Sequence, residues 1–156
     1  MKITKSSILY NVIINLPVCF ALSFFGALAN SLDINWPNFA INYAVSFVLA
    51  MAIGLFIPLT RIGRWFTGLF GVDNRTYTHN LRYRLLASLI SSLIFYLIIS
   101  PTLTVMNYFL LGGSSVQETL IHWLVNFPFL FLVGYTSTLI SDLPAYKAAH
   151  HVDPDF

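Results

Sequence analysis

Residues 61 to 84 read RIGRWFTGLFGVDNRTYTHNLRYR. Five arginines, Arg61, Arg64, Arg75, Arg82 and Arg84, stand here against a single acid, Asp73. No lysine or arginine interrupts the long apolar stretches on either side. The segment therefore reads as the place where the chain returns to water between two hydrophobic hairpins.

Composition supports that division. Of 156 residues 57% are hydrophobic, 16% aromatic and only 9% charged, and the mean hydropathy is +0.75; a soluble domain carries about 25% charge. Crossing a hydrocarbon core of about 30 Å takes about 20 apolar residues in a helix. Four runs meet that length: Ser7 to Asn30, Phe39 to Pro58, Leu85 to Leu111 and Thr119 to Asp142. A membrane barrel would need strict alternation of apolar and polar residues, whereas Val45 to Phe56 and Leu93 to Ile99 are apolar on nearly every face. The expectation is an all-α integral membrane protein with four transmembrane helices, whose first partner is the lipid bilayer. A net charge of +2 gives no electrostatic footprint for nucleic acid.

The resulting divisions are a first hairpin over residues 1–60, an Arg-rich connection over 61–84, a second hairpin over 85–144 and a polar tail over 145–156. Lys2 and Lys5 before an apolar run ending in Ala27, Leu28 and Ala29 have the outline of a secretory signal. The run is longer than such signals and holds Asn11, Asn15 and Pro17, so a retained first span is expected. Trp36 suits the headgroup level. Trp65, Phe66, Leu69 and Phe70 among the arginines form a short amphipathic pattern suited to the membrane surface; the plainer reading has the second helix overshooting the bilayer. The tail, with Lys147, His150, His151, Asp153 and Asp155, shows no core-forming pattern. Its His and Asp residues would suit a metal only incidentally.

All eight basic residues, Lys2, Lys5, Arg61, Arg64, Arg75, Arg82, Arg84 and Lys147, fall at the end shared by the termini and the central segment. Basic residues flanking membrane helices stay in the cytoplasm, which predicts cytoplasmic N and C termini. A shift of 84 residues brings Pro17 onto Pro101, Asn42 onto Asn126, Phe25 onto Phe109, Phe39 onto Trp123 and Phe47 onto Phe131. The two hairpins thus read as a parallel repeat about an axis along the membrane normal.

Pro17, Phe39, Asn42 and Pro58 in the first hairpin, with Pro101, Trp123, Asn126 and Pro144 in the second, give the chain a likeness to a known family. It resembles the bacterial membrane hairpins grouped as domain of unknown function 2798, in two copies over Asn11 to Arg64 and Phe95 to Lys147. Pro144 falls opposite Thr60 and not Pro58, so the exits differ. The resemblance implies a multi-pass protein of the bacterial inner membrane and brings no activity with it.

Polar residues within the spans mark faces that avoid lipid. Asn11, Asn15, Cys19 and Ser23 recur every four residues, as do Asn38, Asn42 and Ser46, and Glu118, His122 and Asn126. By depth, Ser23, Asn42, Asn107 and Asn126 share the outer half of the membrane, with His122 and Glu118 at the rim. This layer is the candidate site for a small polar solute, and His122, with an ordinary pKa near about 6.5, would make it pH-sensitive. The competing reading makes these residues hydrogen-bond glue between helices. Farther in, Ser88, Ser91, Ser92, Thr136, Ser137, Thr138 and Ser141 can bond to their own helices, while Asp142, an acid at the inner boundary, would either take up protons or pair with Arg82, Arg84 or Arg61, the ion pair being the expected role.

Nothing signals catalysis: there is no paired-His zinc motif, phosphate loop or nucleophile elbow, and neither cofactor nor resident metal is expected. The single cysteine, Cys19, excludes an intrachain disulfide. Ala50, Gly54, Gly26 and Ala27 would allow close helix approach in a homo-oligomer. The functional expectation is binding or translocation of a small polar solute; the alternative is a non-catalytic accessory, regulatory or immunity-type membrane subunit.

Overall fold

The computed structural model describes residues 4–30, 36–72, 80–110 and 113–153. Five α-helices run through them: α1 (Lys5–Asn30), α2 (Trp36–Phe56), α3 (Leu59–Leu69), α4 (Leu81–Thr104) and α5 (Val116–Val152), with α4 continuing into a π-helical turn, Val105–Leu110. Four of them, α1, α2, α4 with its π turn, and α5, are long and apolar enough to cross a membrane. Of the residues named above, Lys2, Asp73, Arg75, Leu111 and Asp155 lie outside the described residues.

The helices pack as a ring in the order α2, α1, α5, α4, with α1 on α5 the most extensive interface and α2 on α4 the thinnest. α1 and α5 run antiparallel along their lengths: Ser6 donates to Asp153 Oδ2 at 3.3 Å near one end, and Phe25 meets Phe129 edge-on, ring centres 6.1 Å apart, near the other. The beginning of α1 and the end of α5 therefore sit side by side. Between α1 and α2 the fit is aromatic at one end, where Phe20 meets Phe39 at 5.6 Å, and polar along the rest. One core cluster gathers Cys19, Ala50, Ile53, Phe95 and Ile99; a second gathers Val18, Leu22 and Tyr96. Outward faces are apolar, with Val48, Val125 and Ile140 well exposed, the surface expected of helices solvated by lipid.

Asn11 shows how the polar stripe of α1 is satisfied. Its amide donates to Ser7 O at 2.8 Å and to Gly54 O at 3.4 Å. Gly54 is required for this approach, since a Cβ there would overlap the Asn11 side chain. Ala50 is also buried within the chain. Two of the small residues assigned to a homo-oligomer interface are thus used inside the protomer, while Gly26 retains open space where a Cβ would stand.

Three boundaries differ from the sequence expectations. α2 ends at Phe56, and Pro58, which lacks an N–H and disfavours helix in the residue before it, separates it from α3; α2 does not overshoot. α3 lays Gly63 and Thr67 against the bundle, a Cβ on Gly63 falling 3.4 Å from Ala87 Cβ, and leaves Arg61, Arg64, Trp65 and Leu69 exposed. α5 begins at Val116, where Ser115 and Glu118 form a capping box, and continues through Pro144 to Val152. Its 37 residues span about 55 Å, more than a membrane is thick. Residues 145–152 are therefore helix and not an unpatterned tail: Ala145 and Ala149, one turn apart, are both fully buried.

Candidate functional site: a polar seam ending in a buried ion pair

In the outer layer Ser23 of α1 meets Ser46 of α2. Ser46 donates to Tyr43 O at 2.9 Å, leaving its oxygen to face Ser23 at 3.4 Å. Asn42 is half-buried, and its buried Oδ1 has no hydrogen-bond partner. Asn107 lies half-buried in the π turn and Asn126 half-buried on α5. His122 is exposed and stacks on Tyr108, ring centres 4.3 Å apart. The Glu118 carboxylate accepts from Ser115 N at 2.9 Å and from Ser115 Oγ at 2.9 Å, so it closes the first turn of α5.

The more continuous polar feature is on α4. Arg84, Ser88, Ser92, Tyr96 and Ser100 recur every four residues, so successive members share a face and the stripe winds gradually around α4. Ser88, Ser92, Tyr96 and Ser100 are all buried, and only 13% of the Arg84 side chain is exposed. Across from them α5 contributes buried Asp142, Thr138 and Gly134. At one end Trp123 Nε1 donates to Ser100 Oγ at 3.0 Å. At the other the seam meets charge.

Asp142 is 2% exposed. Arg84 Nε donates to its Oδ2 at 3.3 Å and Tyr10 donates to its Oδ1 at 2.8 Å. Arg84 also reaches Leu139 O through Nη2 at 3.3 Å. Each carboxylate oxygen thus has a donor, one from α4 and one from α1. Beside the pair, the Tyr83 phenol adjoins the Arg64 guanidinium of α3, which links the short helix to the same cluster. A carboxylate buried in a low-dielectric setting persists only with such compensation.

Of the three arginines considered for Asp142, the structure selects Arg84. Tyr10, Tyr96 and Ser100 were absent from the sequence-derived candidates, although the four-residue recurrence from Arg84 to Ser100 was there to be read. Ser91, grouped with Ser88 and Ser92 in the sequence, is one position off that face and only half-buried. Among the described residues, no group of three or more His, Cys, Asp or Glu side chains is arranged to hold a metal ion.

No protein-family model, no curated protein and no solved structure matches the chain.

Proposed function

We propose that this multi-pass membrane protein binds or translocates a small polar solute, and that the ion pair of Asp142 with Arg84 closes one end of the path. The observation that carries this reading is a buried, doubly hydrogen-bonded acid at the end of a polar seam. Ionisable groups among membrane helices are costly and mark solute or proton paths more often than they add stability. The outer layer of Ser23, Asn42, Asn107 and Asn126, with His122 and Glu118 at its rim, is the entrance, and the unpartnered Asn42 oxygen is its first acceptor. Lys5, Arg61, Arg64, Arg82 and Lys147 bring positive charge to the end bearing the ion pair, which makes that end cytoplasmic by the positive-inside rule. The tandem-hairpin reading and a bacterial inner-membrane location belong to the same proposal, supported by the Pro17/Pro101 and Asn42/Asn126 correspondences.

The test is flux into sealed vesicles containing the purified protein and a trapped pH-sensitive dye, challenged in turn with a proton gradient, ammonium, formate and urea, the last followed by light scattering. Saturable entry of one probe that changes in Asp142→Asn supports the proposal. Vesicles no leakier than protein-free controls to any probe, together with a reproducibly co-isolated membrane protein, would instead establish the accessory-subunit reading. That alternative has its own support in α2, which buries only Ser46, Ala50 and Ile53 and leaves Ile41, Val48 and Phe56 outward.

A further inference from the structure

We propose that a crevice between α1, α4 and α5 binds a single water molecule, bridging Ser92 of α4 to Thr138 of α5. The crevice measures about 10 Å³, and Val18, Leu22, Phe95, Tyr96 and Gly134 line it together with those two hydroxyl residues. That is close to the smallest space that admits one water. Ser92 is 4% exposed and its hydroxyl makes no hydrogen bond to the protein. Thr138 donates to Gly134 O at 2.8 Å, so its oxygen still accepts. One wall therefore supplies a donor in want of an acceptor, and the facing wall an acceptor with free lone pairs. A water accepts from the first and donates to the second.

Gly134 keeps the space open. A Cβ there would stand 3.3 Å from Leu22 Cδ2, so any larger residue would press into the same volume. Tyr96 forms wall and not bridge: its hydroxyl is turned toward Ser100 without closing a hydrogen bond, and Ser100 already accepts from Trp123. The competing way to satisfy Ser92 is rotation of its hydroxyl onto the carbonyl one turn back, which would leave the crevice dry. The site stands whether or not a solute moves along the seam.

Water-edited solid-state NMR of the isotopically labelled protein in lipid bilayers separates the two. With water bound, polarisation passes from water to the side chains of Ser92 and Thr138 but not to buried Ala50 and Ile99. Ser92→Ala then abolishes transfer to Thr138, while Ser88→Ala leaves it. In thermal unfolding, Ser92→Ala and Thr138→Val each lower the midpoint, and the double variant falls little further because one water serves both. Absence of transfer in the wild-type protein, persistence of the Thr138 signal in Ser92→Ala, or additive midpoint shifts would each overturn the bridge. Should a variant fail to fold, the wild-type spectrum alone decides.

Discussion

Tyr10 and Asp142 lie 132 positions apart in the chain, and the phenol of one donates to the carboxylate of the other at 2.8 Å. This contact, with Arg84 on the second oxygen, ties three spanning helices together at one end of the bundle. Its energetics differ from those of a surface pair because neither partner can be rehydrated cheaply.

Removing one member should therefore cost more than removing both. Arg84→Met leaves an uncompensated buried carboxylate and is expected to destabilise by about 3–5 kcal/mol. Adding Asp142→Leu to it should recover most of that loss. Tyr10→Phe, which removes one neutral donor to a charge, should cost about 1.5–3 kcal/mol. Thermal unfolding in a mild detergent, read as a double-mutant cycle, checks all three; a double variant as unstable as the sum of the singles would refute the pairing.

Gly54→Ala places a methyl where the Asn11 side chain now sits, and overpacking of this kind costs about 1–3 kcal/mol. The expected signature is compensation: Asn11→Ala on the Gly54→Ala background should be more stable than Gly54→Ala alone. The same unfolding assay would show the reverse order if Asn11 had room to turn away.

The last turns of α5 should behave as structure. Ala145→Leu and Ala149→Leu, both at fully buried positions, are expected to lower stability by about 1–3 kcal/mol. Lys147→Glu, at an exposed position between them, should change it by less than about 0.5 kcal/mol. Equal effects at the three positions would mean that residues 145–152 do not pack on the bundle.

Sidedness is open to chemical labelling. On a Cys19→Ser background, Ser114→Cys should react with an impermeant maleimide added to intact cells, and Lys147→Cys only after the membrane is opened. The opposite pattern would invert the proposed orientation.

The four long helices were legible in the sequence because hydrocarbon imposes length and composition together: Trp36–Phe56, for one, is long and apolar enough to cross a membrane. The α1 stripe was legible for a related reason, and Asn11, Asn15, Cys19 and Ser23 are all buried. Asn11 on Gly54 and Asn15, whose amide points to Met51 Sδ at 3.9 Å, serve as ties between α1 and α2, in line with hydrogen-bond glue. Two features were hidden. Ala145 and Ala149 carry too little hydrophobicity to stand out among charged neighbours, and they pack by being small. Ser88 and Ser92 were discounted because a serine in a helix can bond to its own backbone; their spacing from Arg84 was in the sequence, but their burial opposite Thr138 and Asp142 of α5 shows only in the structure.

The antiparallel clasp of α1 on α5 has a consequence for biosynthesis. A chain made from its N-terminus releases α1 into the bilayer long before its principal neighbour exists. In that interval α2 can already cover Asn11 and Asn15, whereas Tyr10 and Arg84 must wait for the final helix to deliver Asp142. Closure of the ring thus waits on α5, and the arginine keeps α4 in need of a partner until Asp142 has been made.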